Sequence, residues 1–385
     1  MNAAEPTAPF ALSASRLNLP KEGAYFTFVV IISVLFWLLI AVSIVGIFYA
    51  ALVGVMAWLG NGLLTAHLRS EAVRVNERQL PELHAAFARV WEKLGCSGPL
   101  PAFYVIQSGG ALNAFATRFS GRNFVVVYSD ILESFGPASS EMQFILGHEI
   151  GHIKSNHILK QVLLAPGIFT PLIGPAYLRA CEASCDRHGA FAADDLNGAI
   201  RAMLTLGGGR EQGRHLDADA FASQHGDERG FFISWHELTS GYPTLSARTA
   251  QLVNLARPGT APASPSRNPL AYLFALMTPG GRLAGSGNIL IFVVTIGLLA
   301  AMAIPAFHKV RAQSIAKVCE NNRRMIASSF DQATLENGKV PTTYDEFIGP
   351  EKALKAMPEC PAHGEYEVAT NDDKSALVTC SEHTP

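Results

Sequence analysis

Charge is what this chain has least of. Of its 385 residues only 16% are Asp, Glu, Lys or Arg, and from Gly23 to Leu68 there is none at all. A formal net charge of -2 gives no basic surface for a polyanion, so no nucleic-acid partner is expected. What fills the space is apolar: hydrophobic residues make up 49%, the composition of a membrane protein. The length allows a sizeable core and roughly two or three domains. The six cysteines divide by region, with Cys96, Cys181 and Cys185 in the middle and Cys319, Cys360 and Cys380 in the last quarter.

One bilayer crossing takes about 20 apolar residues, so the uncharged run is long enough for two. It reads as a hairpin, Tyr25 to Ser43 and Gly46 to Leu64, turning near Gly46. The alternative is one long tilted span continuing as an interfacial helix, because no polar turn marks the bend. The run is too long for the apolar core of a cleaved signal peptide. Ile289 to Phe307 is also uncharged and reads as one more span, ending at Lys309 and Arg311. The apolar stretch Val162 to Leu178 holds Pro166, Pro171 and Pro175, which argues against a spanning helix. It is either a loop resting on the bilayer or a lid.

Between the spans, residues 67–92 have helical apolar spacing at Leu80, Leu83, Phe87 and Val90. Ala102 to Gln107 and Ala111 to Tyr128 are β-rich, and Ser120-Gly121-Arg122 marks a hairpin turn in the second. Ser140 reads as an N-cap with Gln143 at the capping-box position, opening a helix through His157. Further helices are expected at 177–206 and 245–256. A Pro, Ala and Ser-rich linker follows from Arg257 to Pro269, and Gly280 to Gly287 is a second flexible stretch.

The helix predicted from Ser140 carries His148-Glu149-Ile150-Gly151-His152. Positions i and i+4 share one face, so His148 and His152 can present two imidazoles to one metal ion. Glu149 stands beside that face, where it can reach a metal-activated water without being a ligand. This is the arrangement of zinc-assisted hydrolysis, with one zinc ion per chain. A catalytic zinc takes a third protein ligand, and Glu182 on another helix is the candidate. Asp186, one turn further on, can hydrogen-bond a ligating histidine. Cys181 and Cys185 read as small packing residues, and His157 falls off the metal-facing stripe.

Asn113-Ala114-Phe115, the His148 motif and Arg179-x-x-Glu182-x-x-x-Asp186 follow one another as in the HtpX-like family, which includes the CAAX prenyl endopeptidases. The resemblance covers residues 70–256. It implies a peptidase acting on membrane or misfolded proteins, with Glu182 as third zinc ligand and Asp186 supporting it. It also implies that Asn113, Ala114 and Phe115 form a strand edge that pairs with substrate backbone. The family's His-Pro, followed five residues later by Arg, is here Tyr242-Pro243 followed by Arg248. Tyr242 can offer its hydroxyl to the oxyanion where the family has histidine, and His236 is a nearby substitute.

The run Gly297 to Phe307 resembles the N-terminal helix of type IV pilins, and the resemblance extends over residues 284–385. Asn288 stands where the usual glutamate would be, and the processing signal is missing, so the segment is expected to stay as an uncleaved anchor. Pilin-like heads are extracytoplasmic, which implies a Cys360–Cys380 disulfide there, with Cys319 unpaired or elsewhere engaged; if the first run is a hairpin, the peptidase domain stays in the cytoplasm. The expected fold is a multi-pass membrane protein with a mainly helical zincin-type α+β peptidase domain, a small β-sheet and a pilin-like α+β head. Its segments are a tail (1–22), a transmembrane hairpin (23–66), the metallopeptidase domain (67–256), a linker (257–287), a third span (288–308) and the head (309–385). The expected setting is a bacterial-type inner membrane, with the lipid bilayer and protein or peptide substrates as partners. The alternatives are a non-catalytic membrane scaffold and a pilus or secretion component with a fused peptidase.

Overall fold

The computed structural model describes residues 12–13, 17–107, 109–278, 288–371 and 374–383. The chain divides into two compact units, Met1–Asn288 and Ile289–Pro385.

The first unit opens with α1 (Pro20–Ala41) and α2 (Ile44–Glu71), both long and apolar enough to cross a membrane. They are separated at Val42–Ser43, where the Ser43 hydroxyl accepts from the Gly46 amide at 3.0 Å. Ser43, an N-cap, sets the break, slightly ahead of the Gly46 turn expected. Phe28, Leu35, Leu39, Phe48, Val53, Met56 and Leu63 are all exposed, which in water would be an untenable apolar surface and in lipid is the required one. Both ends of the pair are fixed on the same unit: Leu19 donates to Ser184 at 3.0 Å, and Leu68 is buried with Tyr104, Phe124 and Val126.

The helix expected over 67–92 is broken. After α2 come a short strand β1 (Val73–Arg74), a turn and α3 (Pro81–Lys93). Asn76 makes the turn by accepting from the amides of Arg78 and Gln79, and Pro81 starts the new helix. Next are β2 (Ala102–Ile106), β3 (Ala114–Phe119) and β4 (Arg122–Tyr128), in the sheet order β1-β2-β4-β3. The β3–β4 hairpin turns at Ser120 and Gly121, both with positive φ, as a tight turn between twisted strands requires. β4 pairs parallel to β2, which leaves β3 as an edge.

Helices α4 (Ser129–Phe135), α5 (Ser140–Lys154), α6 (His157–Leu163), α7 (Ala165–Ile168), α8 (Ile173–Ala192) and α9 (Leu196–Gln212) follow. The N-cap of α5 is Ser139, not Ser140, with its hydroxyl accepting from Met142. Gln143 is used elsewhere: its amide donates to Asp194 at 2.8 Å and its carbonyl accepts from the Asp194 backbone at 2.9 Å. The helix expected over 177–206 is two helices, because Asp195 caps the start of α9. Residues Val162 to Leu178 are mostly helical, and Val162 lines the cavity described below. α7 packs on α1, where Ser33 bonds Leu164 and Gly167, and Trp37 donates to Leu163.

The unit closes with α10 (Ala218–Asp227), α11 (Phe231–Thr239), α12 (Leu245–Ala256) and α13 (Pro269–Leu276). α13 begins at the end of the expected linker and buries Ala271 and Ala275 with Leu238. The expected flexible stretch 280–287 lies outside the described residues.

The second unit is α14 (Asn288–Asn337), carrying Pro305, with a two-stranded sheet of β5 (Tyr366–Thr370) and β6 (Ala376–Cys380). Its core joins Cys319, Ile326, Phe330 and Ala333 on the helix to Phe347, Cys360, Tyr366, Val378 and Cys380. The expected span Ile289–Phe307 forms the first part of α14; side chains 288–304 and 306 lie outside the described residues.

Candidate metal centre

The centre depends first on residues without side chains. α5 is buried from Met142 to Ile153 and lies against α8. A Cβ on Gly147 would sit 2.5 Å from the Ala192 Cβ, and one on Gly189 would sit 2.6 Å from the Phe144 carbonyl oxygen. Neither fits, so the two helices approach as closely as backbone allows.

That approach carries Glu182 of α8 to His148 and His152 of α5. Glu182 Oε2 is 3.3 Å from His148 Nε2, and Oε1 is 3.6 Å from His152 Nε2. The three donor atoms lie within 4.8 Å of one another. Ligand bonds of about 2.0–2.2 Å in a tetrahedral site place neighbouring donors roughly 3.4 Å apart. Two imidazoles and a carboxylate at this spacing fit zinc and leave one coordination position open. Burial works against charge on Glu182, but the two imidazoles hold its carboxyl well below the usual range.

The far sides of the imidazoles are held as well. His148 Nδ1 lies 2.9 Å from Asp186 Oδ1. Arg248 of α12 grips that carboxylate with two hydrogen bonds, Nε to Oδ2 at 2.8 Å and Nη2 to Oδ1 at 2.6 Å. Against burial, Arg248 and His148 keep the Asp186 carboxyl low, and Asp186 and Glu182 raise the His148 imidazole to about 9. Arg248 therefore acts on the centre through Asp186 and His148.

His157, set aside on its spacing, is not one of the three donors but touches the far side of one. Its Nδ1 is 3.1 Å from His152 Nδ1, and its Nε2 is 2.9 Å from Glu22 Oε1 on α1. The i+5 offset takes it off the α5 face, but Asn156, with positive φ, turns the chain so that α6 brings the ring back. The signal available in the sequence was Glu22, an acid at the head of an uncharged run. Cys181 and Cys185 are buried with their thiol pKa values pushed up, as packing residues are.

A cavity of about 640 Å³ opens on this centre, lined by His148, Glu149, His152, Glu182 and Tyr242. Asn113, Ala114 and Phe115 line it too, along the outer edge of β3. Asn61 of α2 reaches the same edge and donates to the Arg118 carbonyl at 2.8 Å. Tyr242 is 43% exposed, in a loop that Arg179 fastens by donating to the Glu237 and Ser240 carbonyls at 2.6 Å each. His236 is exposed and outside the cavity. Cys360 and Cys380, the expected pair, lie close together in the second unit, with sulfurs 3.7 Å apart.

Residues 77–256 match the model of Peptidase family M48. Among curated proteins, the chain is 31% identical over 170 residues to a plastoglobule-localized metallopeptidase 48 of Arabidopsis thaliana, covering 40% of this chain and 48% of that one. It is 31% identical over 123 residues to a protease HtpX homolog of Acaryochloris marina, covering 32% and 40%. A homolog from Methanocaldococcus jannaschii is 35% identical over 92 residues, covering 24% and 31%. The chain thus spans about half or less of the length of these relatives. No solved structure matches. A helix bearing two histidines, a third donor facing them and this match agree: residues 77–256 are similar to Peptidase family M48 and carry the donor set of a metalloprotease.

Proposed function

We propose that the chain is a membrane-anchored zinc endopeptidase that cuts peptide bonds in membrane or misfolded proteins. The convergence of His148, His152 and Glu182 at zinc spacing, inside a cavity lined by the outer edge of β3, carries this reading. The names of its relatives, which are proteases, support it. His148, His152 and Glu182 hold the ion, which when bound acts as a Lewis acid and makes water a nucleophile near neutral pH.

The chain's own residues do the rest. The edge of β3 at Asn113–Phe115 receives substrate backbone as an added strand, setting the scissile carbonyl over the cavity. Glu149 takes the proton from the attacking water and passes it to the leaving amine. Tyr242 donates its hydroxyl to the developing oxyanion. Asp186, gripped by Arg248, accepts the His148 Nδ1 proton and fixes which nitrogen faces the metal. α1 and α2 cross the bilayer as a hairpin, and the apolar start of α14 crosses it once more.

The test is to purify the full chain in detergent, measure its zinc, and follow cleavage of unfolded casein by the wild type and Glu149→Gln. The expected result is about one catalytic zinc in both and cleavage by the wild type alone. Equal cleavage by both forms would overturn the proposal.

A further inference from the structure

The second unit holds a cluster that the peptidase reading does not use. Cys319 on α14, Cys360 in the segment before β5, Cys380 at the end of β6 and His383 beyond it place four ligand atoms within 4.8 Å of one another. Cys360 and Cys380 sulfurs are 3.7 Å apart. His383 Nδ1 is 3.6 Å from the Cys360 sulfur and 3.8 Å from that of Cys380. Zinc–sulfur bonds of about 2.3 Å and zinc–nitrogen bonds of about 2.0–2.1 Å make tetrahedral edges of roughly 3.8 Å and 3.6 Å. The distances match both edges.

A disulfide would use two of these four side chains and leave Cys319 and His383 without a role. The surroundings instead converge on the sulfurs: backbone amides of Ala362 and Gly364 face Cys360, and His383 stands against both Cys360 and Cys380. Gly364 is required there, because a Cβ would sit 2.7 Å from the Cys380 sulfur. Cys319, Cys360 and Cys380 are buried, and Asn322, one turn beyond Cys319, ties α14 to the Glu359 carbonyl and the Tyr366 hydroxyl.

We infer that Cys319, Cys360, Cys380 and His383 bind one structural zinc ion, separate from the peptidase centre. Binding forms three zinc–sulfur bonds and one zinc–nitrogen bond and releases the thiol protons to solvent, with no change of oxidation state. All four positions are filled by protein, as in sites that hold a fold together and leave no place for substrate. The need is visible in the architecture. A two-stranded sheet on a single helix is marginal alone, and three of the nine buried apolar residues of this core are the cysteines. The ion would staple the helix, the Cys360 turn and the end of the sheet, which otherwise meet only through a thin core.

The experiment uses the full chain in detergent, prepared without oxygen, with His148→Ala and His152→Ala together removing the first centre. This variant leaves the cluster intact, so its zinc reports on the second unit alone. The expected result is one zinc per chain, with Cys319, Cys360 and Cys380 all alkylated once the chain is denatured. Replacing zinc by cobalt should give an intense sulfur-to-cobalt charge-transfer band, which a site of imidazoles and a carboxylate cannot produce. Adding His383→Cys should keep the metal and strengthen that band, whereas His383→Ala should weaken metal retention. Absence of zinc, or a Cys360–Cys380 disulfide in the isolated chain, would overturn the inference.

Discussion

His157 Nε2 lies 2.9 Å from Glu22 Oε1, so a carboxylate at the head of α1 reaches, through one imidazole, a residue of the metal centre. An imidazole that offers Nε2 to a metal carries its proton on Nδ1. His152 then donates to His157 Nδ1, and His157 donates from Nε2 to Glu22. Removing the intermediate ring should loosen the metal while leaving all three ligands in place. His157→Ala and Glu22→Gln are each expected to weaken zinc affinity by about ten- to a hundredfold, measured by competition with a chelating dye.

Arg248 and Asp186 form the matching support for His148. Arg248→Ala would strand a buried carboxylate and should cost about 3–5 kcal/mol of stability. Arg248→Lys keeps the charge but loses the two-pronged grip, so it should retain more stability and still lose activity. Thermal unfolding and peptide cleavage, followed on both variants, separate the two effects.

Tyr242 and His236 differ in position, and the difference is measurable. Tyr242→Phe should lower kcat by about a hundredfold with little change in KM, as loss of one oxyanion donor does. His236→Ala, at an exposed site outside the cavity, should leave both constants near wild type.

His188 gives a pH dependence of stability. Burial lowers its pKa to about 4, from an ordinary 6.5, although the Ser184 carbonyl favours the charged ring. The folded state therefore keeps the ring neutral where the unfolded chain would protonate it. Its contribution is fully present above pH 6.5 and is lost as pH falls from there towards 4, by on the order of 3 kcal/mol. Unfolding midpoints measured across that range should fall more steeply for the wild type than for His188→Leu.

The sequence exposed the parts of this molecule that repeat or that carry chemistry. The uncharged run, the β3–β4 turn at Ser120–Gly121 and the helix over 245–256 could all be read directly, because each is a local pattern. So could His148, Glu149 and His152, whose relation is one helical turn. Glu182 and Asp186 needed the family resemblance, since their partners are 30 or more positions away. Gln143 illustrates the misses: its place in a capping box was locally reasonable, but Asp194 offered a better long-range partner. His157 and Glu22 were hidden for the same reason, being joined by the path of the chain and not by any period. His383 gave no local signal at all, standing alone near the end of the sequence.

Gly147 and Gly189 contribute no group to the metal centre, yet they set the gap across which its ligands meet. The tolerance of the centre is therefore written in the absence of atoms. A single methyl at either position would wedge the two helices apart and put Glu182 out of reach, leaving every donor present and the centre unassembled. Loss of function in this protein need not map to a residue with any chemistry of its own.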